Sequence, residues 1–444
     1  MTSPNGLVCF TNCLLPQEDG SLIEKDLWID ETRGVILDAQ KAFYLRQNRP
    51  ERIVDLGGNI LSPGFLDLQL NGGYGFDFSV FDGDEKAYKK GLVMVAERII
   101  ETGVTSLVPT VITQERSLYP KILSLLQPFQ TENSAAFLGW HAEGPFIEHS
   151  KRGAHADSYL LAAADGTKTF EEVYGADNLA HQEDWIMGNE QAAAVRIITA
   201  APETAGVMDT IKHLSGHGII FSIGHSIATT EVATNAVRHG AKLITHLFNA
   251  MPQLHHRDPS IIGLLGASPH ISPLPEKSLH LEKGQIADME FERPYFGIIV
   301  DGIHCHPNSV RLAYSAHADG CILITDAMKI LDPHLKDGAY EWREGQRYIK
   351  EGDRLYLEGT DTLAGSVVTL DKCVRNFSRF TGCSLGEAIK CATYNPAKCL
   401  GIENKKGTLR PGTDADLVVL SRQGRVLSTW VKGKQAYVAQ PSRR

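Results

Sequence analysis

The sequence predicts an α/β fold: a (β/α)8 barrel accompanied by a small β-sandwich built from both chain ends. Three observations carry that expectation. Short apolar runs recur eight times through the middle of the chain, with helical patterns between several of them. The two ends read differently, as brief strands cut by Gly and Asp turns. Polar and ionisable residues crowd the C-terminal ends of the middle runs, where barrel enzymes keep their sites.

Residues 7–60 hold LVCFTNCLL, LIEKDLWID and VILDA, separated by EDGS and ETRG turns. The last forty residues have the same texture in ADLVVLS, VLSTWVKG and QAYVA. Two β-rich flanks around a different middle suggest that the termini meet and share a sheet. The expected division is therefore 1–60 with 401–444 for the sandwich, and 61–400 for the barrel.

The candidate barrel strands are NILSPGFLDLQL (59–70), VTSLVPT (104–110), AAFLGWH (135–141), VRIITAA (195–201), GIIFSIGH (218–225), AKLITHL (241–247), FGIIVDGIH (296–304) and CILITDA (321–327). Most lack alternation, which is how strands buried on both faces read. EKAYKKGLVMVAERIIETG (85–103) puts Leu92, Val95, Ala96 and Ile99 on one stripe and stops at glycine, as a helix does. TTEVATNAVRHG and PNSVRLAYSAH read similarly, the latter with Pro307 near its start. An open doubly wound sheet is disfavoured, because no Gly-rich phosphate fingerprint follows the first strand. The connection 266–295 carries four prolines and reads as no single helix.

Composition narrows the function classes. Of 444 residues, 44 are basic and 53 acidic, giving a net charge of −9 with no basic stripe. A nucleic-acid partner is not expected, since phosphate contacts need such a stripe. No apolar run approaches the length of a membrane span. No Lys or Arg precedes Lys25, so the basic start of a secretory signal is missing. The eight cysteines form no CxxC pair and read as small buried residues in a reducing compartment, which suits the cytoplasm.

Strand one ends on Asp67-Leu68-Gln69, strand three runs into His141 and Glu143, and strands five and six end at His225 and His246. Asp301 and His304 follow strand seven, and Asp326 follows strand eight. Each residue alone has a plain reading as a turn former, a helix cap or a hydrogen-bonded core histidine. Together, at one face of one barrel, they point to a site. One carboxylate and two neutral imidazoles form a ligand set for zinc or a similar divalent ion. His225 and His246 are one strand–helix unit apart and would face one ion from adjacent strands. Asp326 could then take a proton from an activated water and return it to a leaving group, which describes metal-assisted hydrolysis.

At this point the chain resembles a known family. PGFLDLQLNGG (63–73), GVTSLVPT (103–110), WHAEGPF (140–146), KRGAH (151–155), SIGHS (222–226), THLFNAM (245–251), HHRDP (255–259), DGIH (301–304), LITDAM (323–328), LAGS (363–366) and GTLRPGTDADLVVL (407–420) are similar, in order, to the amidohydrolase superfamily. Within it they look like the N-acetylglucosamine-6-phosphate deacetylases, closer to the animal than the bacterial type. The resemblance implies an amidohydrolase-type barrel and deacetylation of a phosphorylated amino sugar to glucosamine 6-phosphate and acetate, in amino-sugar catabolism or salvage. It implies that Glu143, His225 and His246 bind one divalent metal per subunit, zinc first, with iron, cobalt or manganese as alternatives. It makes Asp326 the acid/base, with His155 aiding the metal at the carbonyl. It further implies a pocket shaped by Gln69, His155, Asn249, Ala250, Arg257 and His304. Arg257 and His304 would reach the substrate phosphate across a homodimer interface. Many relatives carry His-x-His after strand one for a second metal. Asp67-x-Gln69 stands there instead, which favours a single-metal site, because an amide is a poor ligand beside imidazole. Two rivals remain: another deacylase or deaminase on the same barrel, and a barrel kept as a non-catalytic scaffold.

Overall fold

The computed structural model describes residues 3–46, 48–180, 194–267, 291–341, 347–360 and 363–440. Eight parallel strands form the centre: β1 (Phe65–Leu70), β2 (Val104–Ile112), β3 (Trp140–Glu143), β4 (Val195–Ala200), β5 (Ile220–Ile223), β6 (Leu243–Ile244), β7 (Tyr295–Ile299) and β8 (Cys321–Ile324). Each pairs in parallel with the next. The ring closes between β8 and β1, where Leu70 and Ala327 form a parallel bridge. The Asp326 N–H donates to the Gln69 carbonyl at 2.9 Å, and the Asn71 N–H donates to the Ala327 carbonyl at 2.8 Å. Apart from Tyr295, every residue of these strands is buried. Burial on both faces is why the sequence shows runs and not alternation.

The outer layer contains α1 (Glu85–Arg98), α2 (Tyr119–Ser124), α3 (Thr167–Tyr174), α4 (Val207–Gly216), α5 (Thr230–Arg238), α6 (Pro307–Ala316) and α7 (Leu370–Thr381). Their ends follow local chemistry. Asp84 caps α1 by accepting from the Lys86 and Ala87 N–H groups, and Tyr88, Leu92, Val95 and Ala96 face the core. The α-helix ends earlier than its stripe predicts. Ile99–Thr102 tighten into a 3₁₀ turn that stops at Gly103, where φ is 82°. Thr229 caps α5 and His306 caps α6, with Pro307 at the first position of α6.

The two chain ends do meet in a sandwich-like domain. One sheet orders Val35–Leu37, Leu27–Asp30, Leu7–Thr11 and Arg52–Asp55. The other orders Lys434–Val438, Val426–Val431, Leu417–Leu420, Ile60–Pro63, Leu14–Pro16 and Leu22–Glu24. Between them Val8, Phe10, Leu15, Ile29, Leu61, Leu417 and Trp430 form a core of their own. The Phe10 and Trp430 rings meet edge to face at 4.9 Å.

Two details differ from the sequence reading. The candidate strand 59–70 is two strands. Ile60–Pro63 pairs with Leu417–Leu420 in the sandwich, and Phe65–Leu70 enters the barrel. Gly64 is the joint, where a Cβ would come within 2.0 Å of Thr105 Oγ1. A three-stranded antiparallel sheet (Gly338–Glu341, Arg347–Glu351, Arg354–Leu357) follows β8 and was not anticipated. It packs on Met328 and Ile330, just beyond Asp326. Most of the proline-rich connection, residues 268–290, lies outside the described residues.

Candidate active site

Short strands that end in tight turns place the site. Glu143 is the last residue of β3, and His225, His246 and Asp326 each lie two residues beyond β5, β6 and β8. His225, His246 and Asp326 have φ values of 49°, 26° and 47°. Left-handed backbone at residues other than glycine is costly and tends to cluster where a side chain must be aimed. Phe248 and Ala250, in the loop after β6, share that conformation.

Glu143, His225 and His246 are 3%, 5% and 4% exposed. Glu143 Oε1 lies 3.2 Å from both Nε2 atoms, and these are 3.0 Å from each other. The His225 Nδ1–H donates to the Lys151 carbonyl at 2.8 Å, which leaves a lone pair on its Nε2. A carboxylate oxygen and two imidazole nitrogens so close together need a shared cation or proton. Burial opposes ionisation of Glu143, but the bonds to His225 and then His246 hold its carboxyl well below the usual range. His246 moves the other way: burial disfavours its charge, yet the bond to Glu143 raises its pKa. A divalent cation satisfies the same lone pairs without a proton, so the donor set fits a metal. Among the described residues, these three form the one group of at least three His, Cys, Asp or Glu suited to a metal ion.

Asp326 is half-buried, and Asn71 Nδ2 donates to its Oδ1 at 2.7 Å. Burial, then the neighbouring Glu143 charge, raise its pKa to about 6. The turn that carries Asp326 is clasped from both sides. Asp67 Oδ2 accepts from Thr325 Oγ1 at 2.6 Å, and Ser366 Oγ donates to the Thr325 carbonyl at 2.6 Å.

The other sequence candidates divide into two groups. Gln69 and His155 join the cluster. Gln69 Nε2 donates to Glu143 Oε1 at 3.0 Å, and the His155 ring lies 4.5 Å from that of His225. His155 Nδ1 accepts from the Thr113 N–H at 3.2 Å, which puts the proton of the neutral ring on Nε2. Asn249 and Ala250 lie half-buried in the loop after β6, with Asn249 Nδ2 near Cys305 Sγ at 3.7 Å. His304 is half-buried, and its Nδ1–H donates to Asp301 Oδ2 at 2.5 Å. Burial would raise the Asp301 pKa, but the bond to His304 lowers it.

Arg257 stands apart. It is exposed, and its guanidinium approaches His256 Nε2 at 3.3 Å. Asp258 does not pair with it; its carboxylate accepts from the Thr230 N–H, Thr230 Oγ1 and the Ser260 N–H.

His141 drops out as a ligand. Its Nδ1–H donates to the Leu68 carbonyl at 3.0 Å, and its Nε2 accepts from Thr199 Oγ1 at 2.7 Å. Burial keeps it neutral. The sequence reading passed over Asn71, Thr113 and the Lys151 carbonyl, and named Asp301 without giving it an orienting role. Asn71 and Asp301 lie inside the DLQLNGG and DGIH motifs, the one signal that could have found them.

Residues 60–436 match the Amidohydrolase family. N-acetylglucosamine-6-phosphate deacetylase of Caenorhabditis elegans is 39% identical over 440 residues, covering 98% of this chain and 96% of that protein. The enzyme of that name from Homo sapiens is 38% identical, with coverage of 98% and 96%. The crystal structure of N-acetylglucosamine-6-phosphate deacetylase from Pasteurella multocida superposes with a TM-score of 0.77 at 27% identity, covering 98% of this chain and all of that one.

Proposed function

This chain belongs to the amidohydrolase family and to its branch of N-acetylglucosamine-6-phosphate deacetylases, and we propose that it hydrolyses the acetamide of N-acetylglucosamine 6-phosphate to glucosamine 6-phosphate and acetate. The observation that carries the reading is the buried Glu143–His225–His246 cluster beside Asp326 at the C-terminal ends of the barrel strands. A scaffold would have no reason to keep such a costly arrangement.

Glu143, His225 and His246 would hold one divalent ion, zinc being the reading adopted here. When bound, that ion supplies an activated water near neutral pH and polarises the amide carbonyl. Asp326 takes one proton from the attacking water and delivers it to the departing amine. A carboxyl held beside the cluster by Asn71 is placed to do both. His155, with its proton on Nε2, donates to the carbonyl oxygen as negative charge develops; a donor of this kind is worth ~3–4 kcal/mol. Gln69 fills the place of a second-metal histidine and is already engaged with Glu143, which supports a single ion.

Asn249 and Ala250 would line the sugar side. Arg257 and His304 would grip the 6-phosphate. The exposed guanidinium of Arg257, with Asp258 occupied elsewhere, is free to meet a phosphate with its planar fork. Its exposure suits delivery to the pocket of a second subunit in a homodimer. No helix among the described residues is long and apolar enough to cross a membrane. All eight cysteines are free, which supports action in the cytoplasm.

The test is acetate release from a panel of N-acetylated sugars with and without a 6-phosphate. N-acetylglucosamine 6-phosphate should be the best substrate by a wide margin. Preference for an unphosphorylated amide, or no turnover of any member, would refute the reading.

A further inference from the structure

Asn71 lies directly after β1 and is held at three points. Its N–H donates to the Ala327 carbonyl at 2.8 Å, and its own carbonyl accepts from the Phe78 N–H at 3.1 Å. Its Nδ2 donates to Asp326 Oδ1 at 2.7 Å. The two backbone bonds fix where the side chain starts, and the third fixes where it ends. Chemistry settles the orientation of the amide, because the opposite flip would set its oxygen against a carboxylate. Asn71 Oδ1 is buried and no donor among the described residues reaches it. Buried acceptors are almost always satisfied, so a donor from outside the chain is expected there.

We propose that Asn71 is a positioning residue for the hydrolysis: its amide N–H occupies Oδ1 of Asp326, which leaves Oδ2 to carry the proton, while its own oxygen accepts a hydrogen bond from the attacking water or the substrate N–H. The inference rests on the deacetylase reading above. The bookkeeping is that of simple hydrolysis. The water oxygen bonds to the carbonyl carbon, the C–N bond breaks, and one water proton travels through Asp326 Oδ2 to the amine nitrogen. Asn71 exchanges no proton. It keeps the Asp326 carboxylate from rotating, so that a single oxygen faces both the water and the leaving nitrogen.

The experiment compares wild type, Asn71→Ala, Asp326→Asn and the double variant, each loaded with metal and assayed on N-acetylglucosamine 6-phosphate. Asn71→Ala should keep its metal content, its melting temperature within a few degrees and its KM within about threefold, while kcat falls roughly a hundredfold, the usual cost of one positioned donor. In the Asp326→Asn background the same change should cost less than about threefold, because a group that acts through Asp326 has nothing left to position. Losses that multiply in the double variant, or a kcat above one third of wild type in the folded single variant, would overturn the assignment. If Asn71→Ala fails to fold, Asn71→Asp preserves the volume and loses the donor, and must lose kcat at least as heavily. A wild-type enzyme that releases no acetate would instead refute the deacetylase reading itself.

Discussion

Glu143, His225 and His246 are at most 5% exposed and tied to one another or to a backbone carbonyl, whereas Arg257, in the loop that leaves His246, is exposed and its guanidinium lies against His256. The first group stands on strand ends that leave it little freedom, and the second on a surface loop. The contrast separates two tasks. Bond breaking gains from groups fixed in advance, because reorganisation at the moment of reaction is costly. Recognition of a charged handle can wait for substrate or a neighbouring subunit to complete it.

The largest effect should come from the fixed group. His225→Ala or His246→Ala should lose bound metal and acetate release together, as elemental analysis and product assay would record. Full metal content in either variant would dissolve the contrast at its rigid end. Asp326→Asn should cut turnover by roughly 10³- to 10⁴-fold and leave metal and substrate binding in place. A variant that keeps a tenth of wild-type turnover would mean that another group moves the proton.

The loop should respond more mildly and more selectively. Arg257→Ala removes a charge-assisted contact worth on the order of 1.5–3 kcal/mol. That corresponds to roughly ten- to a hundredfold in kcat/KM for the phosphorylated sugar, with almost no change for the unphosphorylated one. Equal losses on both sugars would assign Arg257 to the fold. If it serves a neighbouring pocket, Arg257→Ala chains mixed with Asp326→Asn chains should regain activity through one intact site per hybrid dimer. The smallest effect belongs to the outer layer. Asp84→Ala removes the cap of α1 and should cost about 1 kcal/mol of stability, read as a lower denaturant midpoint with kcat unchanged.

The parts legible in the sequence are those where burial and chemistry act locally. The barrel strands read as apolar runs because both faces are covered. The candidate ligands stood out only jointly, as one Glu and two His at one face of one barrel, since each alone has a plain reading as a turn or core residue. What stayed hidden depends on partners far along the chain. Nothing near Ile60 shows that it pairs with Leu420, so one apparent strand was two. The sheet Gly338–Leu357 has a mostly exposed first strand, with little apolar pattern to detect. Asn71 after a strand has the form of a turn residue, and its hydrogen bond to Asp326, 255 positions away, exists only in the folded chain. Among the described residues Arg257 and Asp258 form no ion pair, although they are neighbours in HHRDP; Asp258 Oδ1 accepts from Thr230 and Ser260 instead.

The account's central claim is that one ion held by Glu143, His225 and His246 enables acetate release. The most direct measurement strips the protein with a chelator and returns zinc in steps, while bound metal and acetate from N-acetylglucosamine 6-phosphate are followed together. The account predicts no turnover in the stripped protein and recovery that rises with bound ion and levels off at one per chain. Full turnover without metal, or recovery that levels off only at two tightly held ions per chain, would contradict it.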